Sequence, residues 1–572
     1  MIGAAAGGIF ILPFFLFSAT SGQLADKYEK TMLVRWIKVC EIFFMIMACV
    51  GFLKVSPYLL FGTLFLMGLH STFFGPIKYS ILPQLLPTNE LVDGNALVEM
   101  GTFLAILLGS IAGGVLIGFE PIGVETVSIG LIGVAFIGWF FSRKIQRTIP
   151  GNPGLKIEWN PLKVTWRILQ ETKKDKSVFY SVLGISWFWF YGAAFLAIFA
   201  SYTKEVLNCN QNVGVLFLTF FSVGIAIGSM LCGRLSKGQL ELGLVPVGSA
   251  GMSLFALDLF FVGKPWPSPA DPQKLFGLLE FFHRAISYRI AADLLLLSCF
   301  SGLFIVPLYT LIQLRTSDKE RSQIVAGNNI WNSLVLVISS LFVLGSLALK
   351  FSIPAIFLQI AVLNLLVMAA IYWIMPEFIY RLAAWMLAHI FYRFRKSGFE
   401  KFPKIGPAII VCNHVSFIDW LFISAAVRRP IRFVMEESFT RMPFFHGFFE
   451  RAKVIPIAAA NPKLVSQAFD KIANELQAGS LVCIFPEGKL TRTGEMNEFR
   501  PGIERILARN KVPVVPMALE GMWGSLFTRA DDKVFPGKLF SRIHLICGEP
   551  VPPEQASAQL LQEKVMQLMG ST

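Results

Sequence analysis

The residues with the most chemistry in them are a histidine and, five positions later, an aspartate, in the stretch Asn413-His414-Val415-Ser416-Phe417-Ile418-Asp419. The stretch lies between a β-like apolar run, Ala408 to Cys412, and a second apolar run, Trp420 to Val427, and so reads as a strand-to-helix junction. There an imidazole can take a proton from a hydroxyl while the carboxylate fixes its tautomer and stabilises the imidazolium. Ser416-x-x-Asp419 before an apolar run is also a capping box, which accounts for the same polar residues as a helix start. A second stretch, Phe485-Pro486-Glu487-Gly488-Lys489-Leu490-Thr491-Arg492, follows at the end of another β-like run and tips the balance toward catalysis.

The elements that must position these residues belong to an unusual chain. Of 572 residues 54% are hydrophobic and only 15% charged, with a mean hydropathy of +0.61. Those values exclude an ordinary soluble enzyme and place most of the chain in a bilayer. The net charge of +14 lies mainly between apolar spans, so positive cytoplasmic loops explain it better than nucleic acid does. Eight cysteines show no C-x-x-C and no pairing rhythm, and we infer neither disulfides nor a metal site from them.

From Met1 to about Met375 the chain is a series of apolar segments of bilayer-spanning length, near 2–20, 33–53, 58–77, 95–118, 123–142, 178–200, 213–232, 243–262, 290–312, 327–349 and 353–375. None reads as a cleavable signal peptide. Basic loops recur on one side: Lys27, Lys30, Arg35 and Lys38 after the first span, a long loop from Arg143 to Lys176, then Arg315, Lys319 and Arg321. The long loop divides the spans into two groups and places the C-terminal region in the cytoplasm.

The loop Gly22-Gln23-Leu24-Ala25-Asp26-Lys27-Tyr28-Glu29-Lys30 resembles the signature that major facilitator superfamily transporters carry between their second and third helices. Gly233-Arg234-Leu235-Ser236-Lys237 looks like a decayed copy without the aspartate. Gly75-Pro76-Ile77-Lys78-Tyr79 and Leu107 to Gly114 are similar to segments of the lysophospholipid-transporter branch. Gly22, Asp26, Lys27 and Lys30 are therefore expected to serve scaffold and gating, and Gly109 and Gly113 to bring helices close through a small face. Buried charge is expensive in a membrane, so Glu41, Glu99 and Asp293, with Asn328 and Asn329 as polar partners, are the candidates for a transport pocket. Only one span precedes the signature loop where the family has two. The resemblance thus implies a missing first helix, with coding sequence continuing in frame upstream of Met1.

Residues 377–398 read as an amphipathic helix on the membrane, basic at Arg393, Arg395 and Lys396. Beyond Gly398, β-like runs at 406–412, 431–435, 480–485, 511–518 and 542–547 alternate with helical stretches at 420–428, 461–478, 499–510 and 554–569. The fold class is thus a polytopic α-helical membrane domain (1–376), an interfacial helix (377–398) and an α/β domain (399–572).

Over roughly 404–552 the α/β domain resembles the glycerophospholipid acyltransferases. Asn413-His414 to Asp419 matches N-H-x-S-x-x-D, Phe485 to Gly488 matches F-P-E-G, and Val512-Pro513-Val514-Val515-Pro516 matches a later block. The resemblance implies His414 as general base, oriented by Asp419, deprotonating the free glycerol hydroxyl of a lysophospholipid that attacks an acyl thioester. Asn413, Glu487 and Gly488 would line the acceptor site, and Lys489 and Arg492 would hold the lipid phosphate. Many members carry Asp-Arg where this chain has Ala458-Ala459-Ala460-Asn461-Pro462, which favours a diester such as lysophosphatidylethanolamine over lysophosphatidate. No bound cofactor is expected. The co-substrate would be acyl carrier protein or coenzyme A thioester, supplied in the first case by a separate acyl-ACP synthetase. Membrane lipids complete the partners, in a bacterial inner membrane. An enzyme with a non-transporting anchor and a flippase with a lipid-binding appendage are the rival readings.

Overall fold

The computed structural model describes all residues except 1, 120, 268–274, 375, 404–405, 443–445, 459–460, 526–528, 531–532, 535–539 and 571–572. The chain forms two compact units, Met1–Ala370 and Ile371–Thr572.

The first unit is built of helices: α1 (Ile2–Lys27), α2 (Lys30–Leu53), α3 (Pro57–Ser80), α4 (Leu82–Leu85), α5 (Leu91–Ile117), α6 (Gly123–Ser142), α7 (Pro161–Glu171), α8 (Lys176–Ser201), α9 (Gln211–Ser236), α10 (Leu244–Val262), α11 (Leu278–Phe282), α12 (Ala285–Arg315), α13 (Arg321–Ala348) and α14 (Ile353–Ile374). Among the described residues eleven helices are long and apolar enough to cross a membrane, and each expected span lies on one of them. α1 packs on α13 and α5 on α9, which joins the first five spans to the last six.

Glycine makes the closest of these contacts. A Cβ on Gly22 would sit 2.7 Å from the Ala326 Cβ, and one on Gly228 would sit 1.8 Å from the Cys299 carbonyl oxygen between α9 and α12. The same role expected of Gly109 and Gly113 is not found: nothing lies within 4 Å of where their Cβ atoms would be. Gly113 and Gly114 instead line an open cavity with Phe52 of α2 and Val124 and Val127 of α6, so a side chain there would meet space and not a packed helix.

The long basic loop contains α7, which hydropathy does not reveal because only one of its faces is buried. Asn160 caps it by accepting the Lys163 backbone N–H at 3.1 Å, and Pro161 takes the first helical position, where a missing N–H costs nothing.

The second unit runs α15 (Pro376–Ile390), β1 (Arg393–Ser397), β2 (Ala408–Cys412), α16 (Asp419–Ala426), β3 (Ile431–Glu436), α17 (Glu437–Thr440), α18 (His446–Arg451), β4 (Ile455–Ile457), α19 (Pro462–Gln477), β5 (Leu481–Ile484), α20 (Gly502–Arg509), β6 (Val514–Glu520), β7 (Arg529–Ala530), β8 (Lys533–Val534), β9 (Arg542–Cys547) and α21 (Ala558–Met569). The helix expected over 377–398 is shorter. It ends at Ile390, and the basic Arg393–Ser397 run is a strand paired in parallel with β9. Pairing explains this: all five residues lie in register with Arg542 to Ile546 of β9, and Phe394 turns inward between the exposed Arg393 and Arg395.

Seven strands form one sheet in the order β1-β9-β6-β2-β5-β3-β4, parallel except where β6 meets β9. β2 is central and wholly buried. Its Ala408, Ile410 and Cys412 face one apolar cluster, which includes residues of α15 and α16, and Ile409 and Val411 face another, which includes residues of α19, α20 and α21. Helices on both faces are what a parallel sheet requires. Because β2 lies between β6 and β5 and is parallel to both, the carboxyl ends of all three strands open at one place.

Candidate functional site

At that opening β2 delivers Asn413 and His414, β5 delivers Phe485 to Gly488, and β6 ends on Leu519 and Glu520. Asn413 is buried and ties the junction to β6: its side-chain amide donates to the Leu519 carbonyl at 3.0 Å and its oxygen accepts the Leu519 N–H at 2.7 Å. His414 follows with its Nδ1 2.8 Å from Asp419 Oδ2, and its ring stacks on Phe485 with centroids 4.1 Å apart. The imidazole is 23% exposed and the carboxylate 0%. With Nδ1–H donating to Asp419, Nε2 is left as the basic nitrogen.

Asp419 also ties down the turn before α16: its Oδ2 accepts the backbone N–H groups of Val415, at 2.7 Å, and Ser416, at 2.9 Å, as well as the imidazole. The expected capping box does not form, because α16 starts at Asp419 with Ile418 as its N-cap residue, and the Ser416 hydroxyl accepts the Ile418 N–H at 3.4 Å. Oδ1 is buried with no hydrogen-bond partner among the described residues, a cost of about 1–3 kcal/mol that the crowded Oδ2 offsets.

Glu487 is placed beside the dyad, but not as an open acceptor contact. It is 1% exposed. Oε1 accepts the His414 backbone N–H at 2.7 Å, and Oε2 accepts both the backbone and side-chain N–H of Asn497, each at 2.7 Å. Burial pushes this carboxyl above its ordinary value, against the pull of the Asn497 and His414 N–H groups. Glu487 therefore braces the backbone under His414, and so does Thr491, whose N–H donates to the His414 carbonyl at 3.0 Å. Asn497 is a partner that the motifs do not contain, and nothing in its spacing singles it out.

Gly488 has φ +68, and a Cβ there would stand 3.2 Å from the Arg500 guanidinium carbon. Lys489 and Arg492 are exposed on the same loop, with no ion pair among the described residues. In the Ala458–Pro462 stretch, Ala459 and Ala460 lie outside the described residues. Taken together, the loops present a buried carboxylate, a half-open imidazole and nearby free cations. That arrangement can activate a hydroxyl close to an anion.

In the helical unit the signature loop acts as a cap across the two halves. The N-cap residue Glu320 makes no side-chain cap for α13. Asp26 does it instead, accepting the N–H of Ser322 at 2.9 Å and of Gln323 at 3.1 Å, and the Gln323 side chain at 3.2 Å. Lys30 is buried beside Asp26, and Lys27 is half-buried. In the second copy a Cβ on Gly233 would meet Asp93 Oδ1 at 2.4 Å, so the carboxylate comes from the facing helix.

The three pocket candidates occupy separate places. Glu41 pairs with Lys38 at 2.7 Å and with His70 at 3.4 Å. Glu99 is fully buried and accepts the Tyr79 hydroxyl at 2.5 Å. Asp293 is buried with Oδ2 unpartnered among the described residues. No hydrogen bond or ion pair among those residues joins any two of them. Asn328 is buried, and Asn329 approaches Gly75 on α3.

Separate parts of the chain match different families of known proteins. Residues 1–271 match the model of the Major Facilitator Superfamily, and residues 393–520 match that of the Acyltransferase family. The lysophospholipid transporter LplT of Enterobacter sp. (strain 638) is 26% identical over 364 residues, covering 61% of this chain and 80% of that protein. The human organic anion transporter MFSD10 covers 64% of this chain and 82% of its own at 13% identity and a TM-score of 0.50. The 1-acyl-sn-glycerophosphate acyltransferase PlsC of Thermotoga maritima is 21% identical over 33% of this chain and 78% of its own, with a TM-score of 0.28. The chain thus joins a unit with eleven membrane-length helices, which matches the Major Facilitator Superfamily model, to an α/β unit that matches the Acyltransferase model.

Proposed function

We propose that the chain brings lysophospholipid to the cytoplasmic leaflet of a bacterial inner membrane and reacylates it there. His414 Nε2 takes the proton of the free glycerol hydroxyl as that oxygen attacks the thioester carbonyl. The C–O ester bond forms, the C–S bond breaks, and the thiol leaves with the proton that His414 returns. Asp419 holds the ring and stabilises its charged form, and the enzyme needs no nucleophile of its own. Lys489 and Arg492 meet the lipid phosphate. The thioester is that of acyl carrier protein or coenzyme A.

The observation that carries this reading is the His414–Asp419 contact on a loop braced by Asn413 and Glu487, in a chain whose membrane part resembles a lysophospholipid transporter. The test is flux of labelled lysophospholipid into vesicles holding the full chain, with and without acyl thioester. Uptake with conversion to diacyl lipid is expected. Conversion without uptake would leave an anchored enzyme, and uptake without conversion a flippase.

A further inference from the structure

The short helix α7 has two unlike apolar faces. Val164 and Ile168 are fully buried against Ala19 of α1 and Ile330 of α13. On the other side Leu162 and Trp166 are 80% and 66% exposed, and Trp159, just before the N-cap, is 68% exposed. The buried face locates the helix along the bundle. Ala19 lies eight residues before the end of α1 and Ile330 nine residues into α13, so at 1.5 Å per residue α7 sits about 12–14 Å in from the helix ends. A span as long as α13 crosses the roughly 30 Å hydrocarbon core with several ångströms to spare at each end. The depth of α7 is thus that of the head-group and acyl-chain boundary, where aromatic and basic amphipathic helices rest.

The charges fit the same place. Between Lys156 and Lys176 six cations face three carboxylates. Each carboxylate is already engaged: Glu158 by Lys163 at 2.7 Å, Glu171 by Lys174 at 2.6 Å, and Asp175 by the Ser177 and Val178 N–H groups at the start of α8. Lys156, Lys173 and Lys176 are exposed, without an ion pair among the described residues. The Gln23 side chain binds Glu158 through its backbone carbonyl at 3.1 Å and backbone N–H at 3.0 Å, and its oxygen accepts from Arg167 at 3.1 Å, so α7 is fastened to the signature loop as well.

We propose that α7 is a lipid-docking strap: its Leu162 and Trp166 face, with Trp159 just before it, enters the leaflet at the Lys27 and Arg321 ends of the bundle, and the unpaired lysines that flank it bind anionic phospholipid head groups there. It touches both halves of the bundle at once, so lipid charge acts on the transporter through it. The proposal is independent of the acyl-transfer reading.

The test uses the full chain in vesicles of phosphatidylethanolamine and phosphatidylglycerol, with p-benzoylphenylalanine in place of Leu162 or, separately, of Trp166. Both positions are exposed, so the Val164 and Ile168 contacts survive. Illumination should give phospholipid adducts in which phosphatidylglycerol exceeds its share of the vesicle, and the triple variant Lys156→Gln, Lys173→Gln, Lys176→Gln should lose that excess. Adducts to peptide of this chain or of a second copy would overturn the proposal, as would lipid adducts in bulk proportion. Amide exchange over 159–171 in the unlabelled protein gives a second reading. It should slow when phosphatidylglycerol is added, and equal rates count against the strap.

Discussion

His414 is half-open while Asp419 and Glu487, the groups that hold it, are buried. That division tells apart what each substitution should do. His414→Ala removes the base and little packing, so acyl transfer should fall by about 10²–10⁴, the usual worth of a general base, with the folded state intact by circular dichroism. Asp419→Asn keeps an acceptor for the two backbone N–H groups but weakens the stabilisation of the imidazolium, and a smaller loss is expected. Near-normal turnover in a folded His414→Ala protein would end the general-base reading. Lys489→Ala and Arg492→Ala should raise KM for lysophospholipid more than for the acyl thioester, and equal changes would make them structural. Glu487 gives a pH signature. Its carboxyl is held above its ordinary value by burial, so the stability it contributes is full below the ordinary glutamate range and is lost as pH rises through the raised value. The melting temperature of the wild type, relative to that of Glu487→Gln, should therefore decline as pH rises across that window. A gap that does not vary with pH would contradict the burial argument.

Elements rather than single groups decide the transporter half. Asp26 caps α13 from the opposite half of the bundle, because Glu320 does not. Asp26→Ala removes a cap worth roughly 0.5–2 kcal/mol, and it removes it only in states where α1 and α13 are together. Lysophospholipid flux should then change by about twofold to thirtyfold, while acylation of detergent-dispersed substrate stays unchanged. Loss of both would mean that the damage is to folding. The spans were legible in the sequence because bilayer and protein together leave them no watery side, and β2 and β5 because burial on both faces writes continuous apolar runs. The dyad was legible because a strand end, a helix start and two polar types coincide in seven residues. Other features were not. β1 looked helical because five residues at a sheet edge carry too little alternation to outweigh the basic amphipathic pattern before them. α7 was hidden among lysines. Glu487 reads like an acceptor contact in any motif, and only its saturation by His414 and Asn497 N–H groups shows that it is a brace.

At the scale of the whole molecule, the two proposed activities, if both reside in one chain, have a consequence that neither has alone. A transporter that runs downhill moves lysophospholipid only until the leaflets balance. An acyltransferase on the receiving side converts the arriving molecule into a two-chain lipid that no longer counts toward that balance, so net movement continues as long as thioester lasts. In vesicles, then, total lipid taken up by the wild type should keep rising when acyl donor is present on the acyltransferase side and reach a plateau without it. His414→Ala should show the plateau under both conditions, with its initial rate unchanged. Asp26→Ala should approach its limit at an altered rate in both, yet acylate normally in detergent. These two variants fail in different ways only if transport and acyl transfer are separate steps that meet at a shared pool of lysophospholipid. A His414→Ala protein whose initial uptake also collapsed would instead require that the lipid pass directly from one unit to the other.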